Sequence, residues 1–258
     1  MLQPYFILAA GLGIYGILKR RQILNQKISQ VARRFERDRR KRAFANKPEN
    51  LLRAQISIEE KSRKIQESIV QIGILLRKAE THFSREEWSA AEKNLVQILS
   101  LDPHSLKANR LLGLTFLQKG EWRKAELIYH KLIELKPEEV TFFSNLGLAF
   151  YHQNKFLAAS KAYLQALKID KNKASRWVSL GQIYLRMNEI KAALTAFNQA
   201  IKLEPHKVDF LFALAEAYEL AKNFKAAFKT YQEILKISPY NSTAQQRLAE
   251  LQKGEIPN

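Results

Sequence analysis

No cysteine occurs in the 258 residues, so the chain has neither a disulfide nor a thiolate metal site available to it. Histidine is scarce, and no two of His82, His104, His130, His152 and His206 have the spacing of a metal-binding helix pair. His104 and His206 follow Pro103 and Pro205 at equivalent turns, so repetition accounts for them; His152 is the one histidine with a candidate place in a binding groove. Aspartates are scattered, and no serine sits in a nucleophile elbow. The expectation is a protein without catalytic site, cofactor, metal or small-molecule substrate. Acidic charge is also short: 25 Asp and Glu stand against 43 Lys and Arg, a net of +18. The excess is uneven. Residues 1–18 carry no charge, whereas 19–64 hold 16 basic and 5 acidic residues.

The uncharged run Leu2–Leu18 approaches the ~17–25 apolar residues of a spanning helix. Positive charge follows it, as Lys19-Arg20-Arg21, rather than preceding it as in a signal peptide. The charge rule then places the N-terminus outside and the remainder in the cytoplasm, as in a single-pass bacterial inner-membrane protein. Gly11, Gly13 and Gly16 match a dinucleotide-binding fingerprint, but the strand that motif requires before it is missing.

Beyond the apolar run, 19–45 read as a basic helix. Leu24, Ile28, Val31 and Phe35 make a narrow apolar stripe, and Arg33, Arg34, Arg37, Arg39, Arg40, Lys41 and Arg42 crowd the rest. Anionic lipid head groups suit this pattern. So does coiled-coil pairing with another chain, and so does nucleic acid or a ribosome held by phosphate contacts. Asn46–Asn50 should break the helix. A second helix follows, with Ile58, Ile65, Ile69, Ile72 and Leu76 on one side, and runs on into the segment beyond.

What dominates the rest is a period of 34 residues, starting at Leu106, Val140, Ala174 and Val208. Each unit carries Gly113, Gly147, Gly181 or Ala215, then Ala125, Ala159, Ala193 or Ala227 twelve residues on, then Tyr129, Tyr163, Phe197 or Tyr231. Pro137, Pro205 and Pro239 close three units, and Lys171 stands in the other. A fifth, atypical copy fits from Ile72, with Ala79, Trp88, Ala91, Leu95 and Pro103. Apolar residues recur at spacings of three and four, so each unit reads as two amphipathic helices joined by turns such as Lys119-Gly120-Glu121 and Gln153-Asn154-Lys155. One helix pair cannot bury its apolar stripe alone; stacked neighbours bury it. Ser242–Lys253 gives a last helix with Leu248 and Leu251 on one side.

This pattern resembles the tetratricopeptide repeat over roughly residues 70–253. The expected fold is all-α: a solenoid of about five helix-turn-helix repeats with a C-terminal capping helix over 65–253, after an anchor at 1–18 and a basic helical connector at 19–64, with 254–258 a frayed tail. The resemblance further implies a scaffold or adaptor that binds a protein, as peptide or helix, on a concave face lined by the first helix of each repeat. In that register the groove includes Arg110, Leu114, Leu117, Ser144, Asn145, Leu148, Tyr151, Val178, Gln182, Leu185, Phe212 and Glu216. Some such proteins grip a terminal carboxylate with Lys, Arg and Asn. Arg110 and Asn145 would supply part of that ring, but Leu114, Ser175 and Ser179 depart from it.

Overall fold

A computed structural model describes residues 24–37 and 48–253. The chain divides into two compact units, Met1–Glu67 and Ser68–Asn258. In the first, residues 24–37 are helical (α1), with Ile28, Val31 and Phe35 of the apolar stripe exposed. The second helix, α2 (Pro48–Ser84), is 37 residues long. Proline opens it, where its missing N–H costs nothing, so of the expected break Pro48, Glu49 and Asn50 form the first turn of α2, and Asn46 and Lys47 lie outside the described residues. As expected, α2 runs without interruption into the first repeat.

The second unit continues with α3 (Trp88–Leu101), α4 (Leu106–Gln118), α5 (Trp122–Leu135), α6 (Val140–His152), α7 (Phe156–Ile169), α8 (Ala174–Arg186), α9 (Ile190–Leu203), α10 (Val208–Leu220), α11 (Phe224–Ile237) and α12 (Ser242–Lys253). From α4 on, helices of 13 and 14 residues alternate, the A and B helices of each repeat. Each B helix packs on its own A helix and on the next one, and the buried residues form three clusters along the stack, bridged by half-buried side chains such as Tyr184, Ile201 and Tyr218.

The turn between A and B repeats to the residue. Glu86, Gly120, Asn154, Asn188 and Lys222 stand 34 residues apart, and all have φ between 56° and 70°. The residue after each donates its N–H five positions back: Glu87 to His82 O, Glu121 to Phe116 O, Lys155 to Phe150 O, Glu189 to Tyr184 O and Asn223 to Tyr218 O, at 2.8–3.0 Å. This is the left-handed helix stop that satisfies otherwise orphaned carbonyls. Glu86 completes the series and confirms the fifth repeat upstream. Gly120 and the two asparagines suit a positive φ, whereas Lys222 pays for its Cβ there. Lys222→Gly should therefore raise stability by about 0.5–1 kcal/mol in urea unfolding, the relief of left-handed strain less glycine's chain entropy. An unchanged midpoint would mean the turn holds no strain.

Gly113, Gly147 and Gly181 have a shared reason. A Cβ on them would meet the B-helix aromatic of the same repeat: Tyr129 at 3.0 Å, Tyr163 at 2.6 Å and Phe197 at 2.5 Å. Tyr129, Phe197 and Tyr231 are almost entirely buried, as are Ala91, Ala125, Ala159, Ala193 and Ala227 at the helix crossings. At the far end α12 buries Ala244 and lays Leu248 and Leu251 against the last repeat, where Arg247 pairs with Glu219.

The membrane expectation is corrected. Among the described residues no helix is long and apolar enough to cross a bilayer. The longest, α2, carries charged side chains along its length, and each would have to be desolvated in hydrocarbon. The run Leu2–Leu18 lies outside the described residues, as do Lys19, Arg20, Arg21, Arg39, Arg40, Lys41 and Arg42.

Candidate functional site

The A helices position the candidate surface. In α6, Phe142, Leu146, Gly147, Ala149 and Phe150 are buried against neighbouring helices, while Ser144, Asn145, Leu148 and Tyr151 are only half-buried. The same alternation runs through α4, α8 and α10. Arg110, Gln182 and Glu216 are exposed; Leu114, Leu117, Val178, Leu185 and Phe212 are half-buried. None of the twelve expected groove residues is buried.

Several of them also have work inside the fold. Tyr151 meets Phe156 edge to face at 5.7 Å, and the Arg186 guanidinium lies 5.9 Å from its ring centre. Asn145 Nδ2 donates to the Tyr129 hydroxyl at 2.9 Å. That bond belongs to a repeated relation. Sixteen residues after each core aromatic, the next A helix presents a matching side chain. Ser179 stands with Tyr163 in the lining of one cavity, its hydroxyl donating to Ser175 O at 3.1 Å. Ala213 packs in the cluster of Phe197, which has no hydroxyl. At the end, the Tyr231 hydroxyl donates to Glu219 at 2.8 Å, and Arg247 pairs with that same carboxylate. Burial pushes the Tyr129 and Tyr231 phenols above their ordinary range, so both stay neutral donors and acceptors.

Between α6 and α8 the surface deepens into an open cavity of about 210 Å³, lined by Thr141, Ser144, Asn145, Tyr163, Lys173, Ser175, Arg176 and Ser179. Arg176 is its most buried cation, with the side chain 12% exposed. Its Nε donates to Ser144 Oγ at 3.2 Å and its Nη1 to Asp170 Oδ2 at 2.6 Å, so one guanidinium ties the two A helices together. That bond and the Asn172 N–H hold the Asp170 carboxyl below the usual carboxylate range. The repeat register in the sequence points to Ser144 and Asn145, but not to Lys173 or Arg176 as their companions.

His152 lies elsewhere. Its ring stacks on Trp122 of the preceding repeat at 4.0 Å, with 9° between the planes. Among the described residues no three His, Asp or Glu side chains cluster to hold a metal.

The sequence profile of the tetratricopeptide repeat matches residues 76–139 and 178–242, and a second profile of the same repeat matches 147–188. The chain belongs to the tetratricopeptide repeat family. Its repeats are similar in fold to MamA (TM-score 0.61, 20% identity, 73% of this chain and 97% of that one). They are similar too to YrrB, described as a protein of this family with an unusual peptide-binding site (0.58, 18%, 67% and 89%). A third similar structure is PilF of Pseudomonas aeruginosa (0.59, 19%, 73% and 86%). A comparison with curated proteins finds no match. At these identities the solved structures share the tetratricopeptide fold with this chain, and its five repeats and capping helix are read within that fold.

Proposed function

We propose that this chain is a protein-binding scaffold whose A-helix face takes an extended segment or a helix of a partner. One observation carries the reading: none of the twelve residues in the groove register is buried, while most of the residues between them are. Leu114, Leu148, Val178 and Phe212 put apolar surface there, and Arg110, Gln182 and Glu216 supply polar contacts, a mixture that suits a peptide or an amphipathic helix. The peptide-binding description of YrrB supports the same use of the fold.

Leu148 is the residue to change, because it is half-buried and stands outside the core clusters. Leu148→Asp should weaken capture of the partner by the full chain at least tenfold, roughly 1.4 kcal/mol, with the helical circular dichroism unchanged. Partner capture that survives Leu148→Asp would contradict the groove. If such capture also disappeared when the exposed Arg33, Arg34 and Arg37 of α1 were neutralised, and fell steeply with salt, recognition would lie in α1 and nucleic acid would be the ligand.

A further inference from the structure

The charge on the B helices changes along the stack. In α3 and α5 cations meet carboxylates: Lys119 and Lys124 at Glu92, and Lys155 at Glu126. From α7 on, the carboxylates all but disappear. Neither α7 nor α9 contains one, and α11 contains Glu233 alone. Lysines remain. Lys161 and Lys168 on α7, Lys191 and Lys202 on α9, and Lys225, Lys229 and Lys236 on α11 are all exposed. Among the described residues none of them finds an ion-pair partner or a side-chain hydrogen bond.

Helix geometry sets them on one face. Spacings of 4, 7 and 11 residues lie close to whole turns, so the lysines of each helix line up, over about 10–16 Å for the longer two. The rows also keep register between helices. Lys191 and Lys225 hold one place in the 34-residue unit, and Lys168, Lys202 and Lys236 hold another. The buried aromatics Tyr163, Phe197 and Tyr231 occupy the other side of the same helices. The lysines thus form a two-dimensional array on the outside of the last three repeats.

Soluble surfaces ordinarily mix the two signs of charge, and a face of one sign attracts a polyanion. The rest of the face says which kind. No aromatic residue of α7, α9 or α11 is exposed. Protein interfaces are built round aromatic and arginine anchors and are depleted in lysine. A single strand stacks its bases on aromatic rings. A bilayer takes inserted apolar side chains, yet between the ends of α9 and α11 the exposed residues are Lys, Thr, Gln and Glu. Leu157 and Leu164 are exposed at the α7 edge alone. Duplex phosphates require none of these features. They take lysine as a point charge and glutamine as a hydrogen-bond donor, and Gln165 and Gln232 stand exposed among the lysines.

We infer that the outer face of α7, α9 and α11 binds the phosphate backbone of a nucleic-acid duplex without reading its bases. This site is separate from the A-helix groove, so a protein segment and a duplex can be held together on opposite sides of the repeats.

The test is fluorescence anisotropy of the full-length chain with labelled DNA and RNA duplexes of about two helical turns, ~20 base pairs, over a range of salt. Each lysine that meets a phosphate adds about −0.9 to the slope of log affinity against log salt. Lys161→Gln, Lys191→Gln, Lys225→Gln and Lys229→Gln together should make the slope shallower by about 3–4, with the helical circular dichroism unchanged. Scrambling the base sequence should change affinity by less than about twofold. A preference for DNA or for RNA names the source of the phosphates, and either supports the site. A control set on α1, Lys27→Gln, Arg33→Gln, Arg34→Gln and Arg37→Gln, removes equal charge and should leave the share of the slope due to the outer face in place. A slope unchanged by the four lysine substitutions, or duplex binding lost altogether in the α1 variant, overturns the inference. So does a lysine variant that keeps its duplex affinity but no longer binds phosphatidylserine vesicles, which would give the face to a bilayer.

Discussion

Phe197→Ala is expected to remove about 3–5 kcal/mol of folding stability, the usual cost of emptying a buried aromatic site. Phe197 is fully buried in α9, in one cluster with Ala193, Leu214 and Ala217. Its ring also fills the space above Gly181, where a Cβ would come within 2.5 Å. The glycine and the aromatic are therefore one device, and a second substitution shows it. Gly181→Ala gains about 1 kcal/mol of helix propensity but forces a methyl into a packed ring, at about 1–3 kcal/mol. The expected sum is a net loss. In the double variant Gly181→Ala, Phe197→Leu, the smaller side chain makes room for the methyl, and part of the loss should return as a coupling of about 0.5–3 kcal/mol. Urea unfolding of the wild type, Phe197→Ala, Gly181→Ala, Phe197→Leu and the double variant measures all of this. Additive effects, or a neutral Gly181→Ala, would show that the close approach does not constrain the stack. Gly113 is the more tolerant site, since its nearest approach is 3.0 Å.

The second large effect concerns the end of the stack. Deleting residues 242–258 removes α12 and uncovers Tyr231, Ile234 and Leu211, all nearly fully buried in the full chain. The lost burial of Ala244, Leu248 and Leu251 amounts to about 3 kcal/mol at the area rate for partly covered aliphatic side chains. For a unit of this size that should lower the midpoint of thermal unfolding by roughly 6–12 °C. The deletion also strips Arg247 from Glu219, so a half-buried carboxylate loses its ion pair as the apolar face opens. Self-association through the new face should accompany the drop, as for any large exposed apolar patch. Leu248→Ala with Leu251→Ala gives the same direction at smaller size. A truncated chain that melts at the full-length temperature would mean α12 is no cap.

The repeat was legible because its physics is local and recurs. The glycine opposite the aromatic, the alanine at the helix crossing and the turn residue each answer to a contact inside one 34-residue unit, so the same residue type returns in phase. Even the left-handed position could be read at Gly120, Asn154 and Asn188, although Glu86 and Lys222 hide it. The polar cavity was not legible in this way. It joins Ser144 to Arg176 across 32 residues, and neither side chain recurs at its register in other repeats. The Trp122–His152 stack is hidden for the same reason. The relation of a core aromatic to the residue sixteen positions later leaves a trace in the sequence: tyrosines precede Asn145, Ser179 and Arg247, while phenylalanine precedes Ala213, and Tyr129 is hydrogen-bonded to Asn145. A reading confined to one repeat at a time overlooks it, because the two partners belong to different repeats. The anchor expectation came from the length of the uncharged run Leu2–Leu18 and the basic residues after it, whereas among the described residues no helix is long and apolar enough to cross a bilayer.

Site-specific photo-crosslinking in the native cell extract tests the central claim most directly. A photoreactive residue would replace Leu148 or Gln182 on the A-helix face, and Leu127 or Leu157 on exposed positions of the B helices, where they are 70% and 59% exposed. The account predicts one protein partner crosslinked from both A-helix positions and from neither B-helix position. A partner crosslinked only from Leu127 or Leu157 would contradict it and move recognition to the opposite face of the repeats.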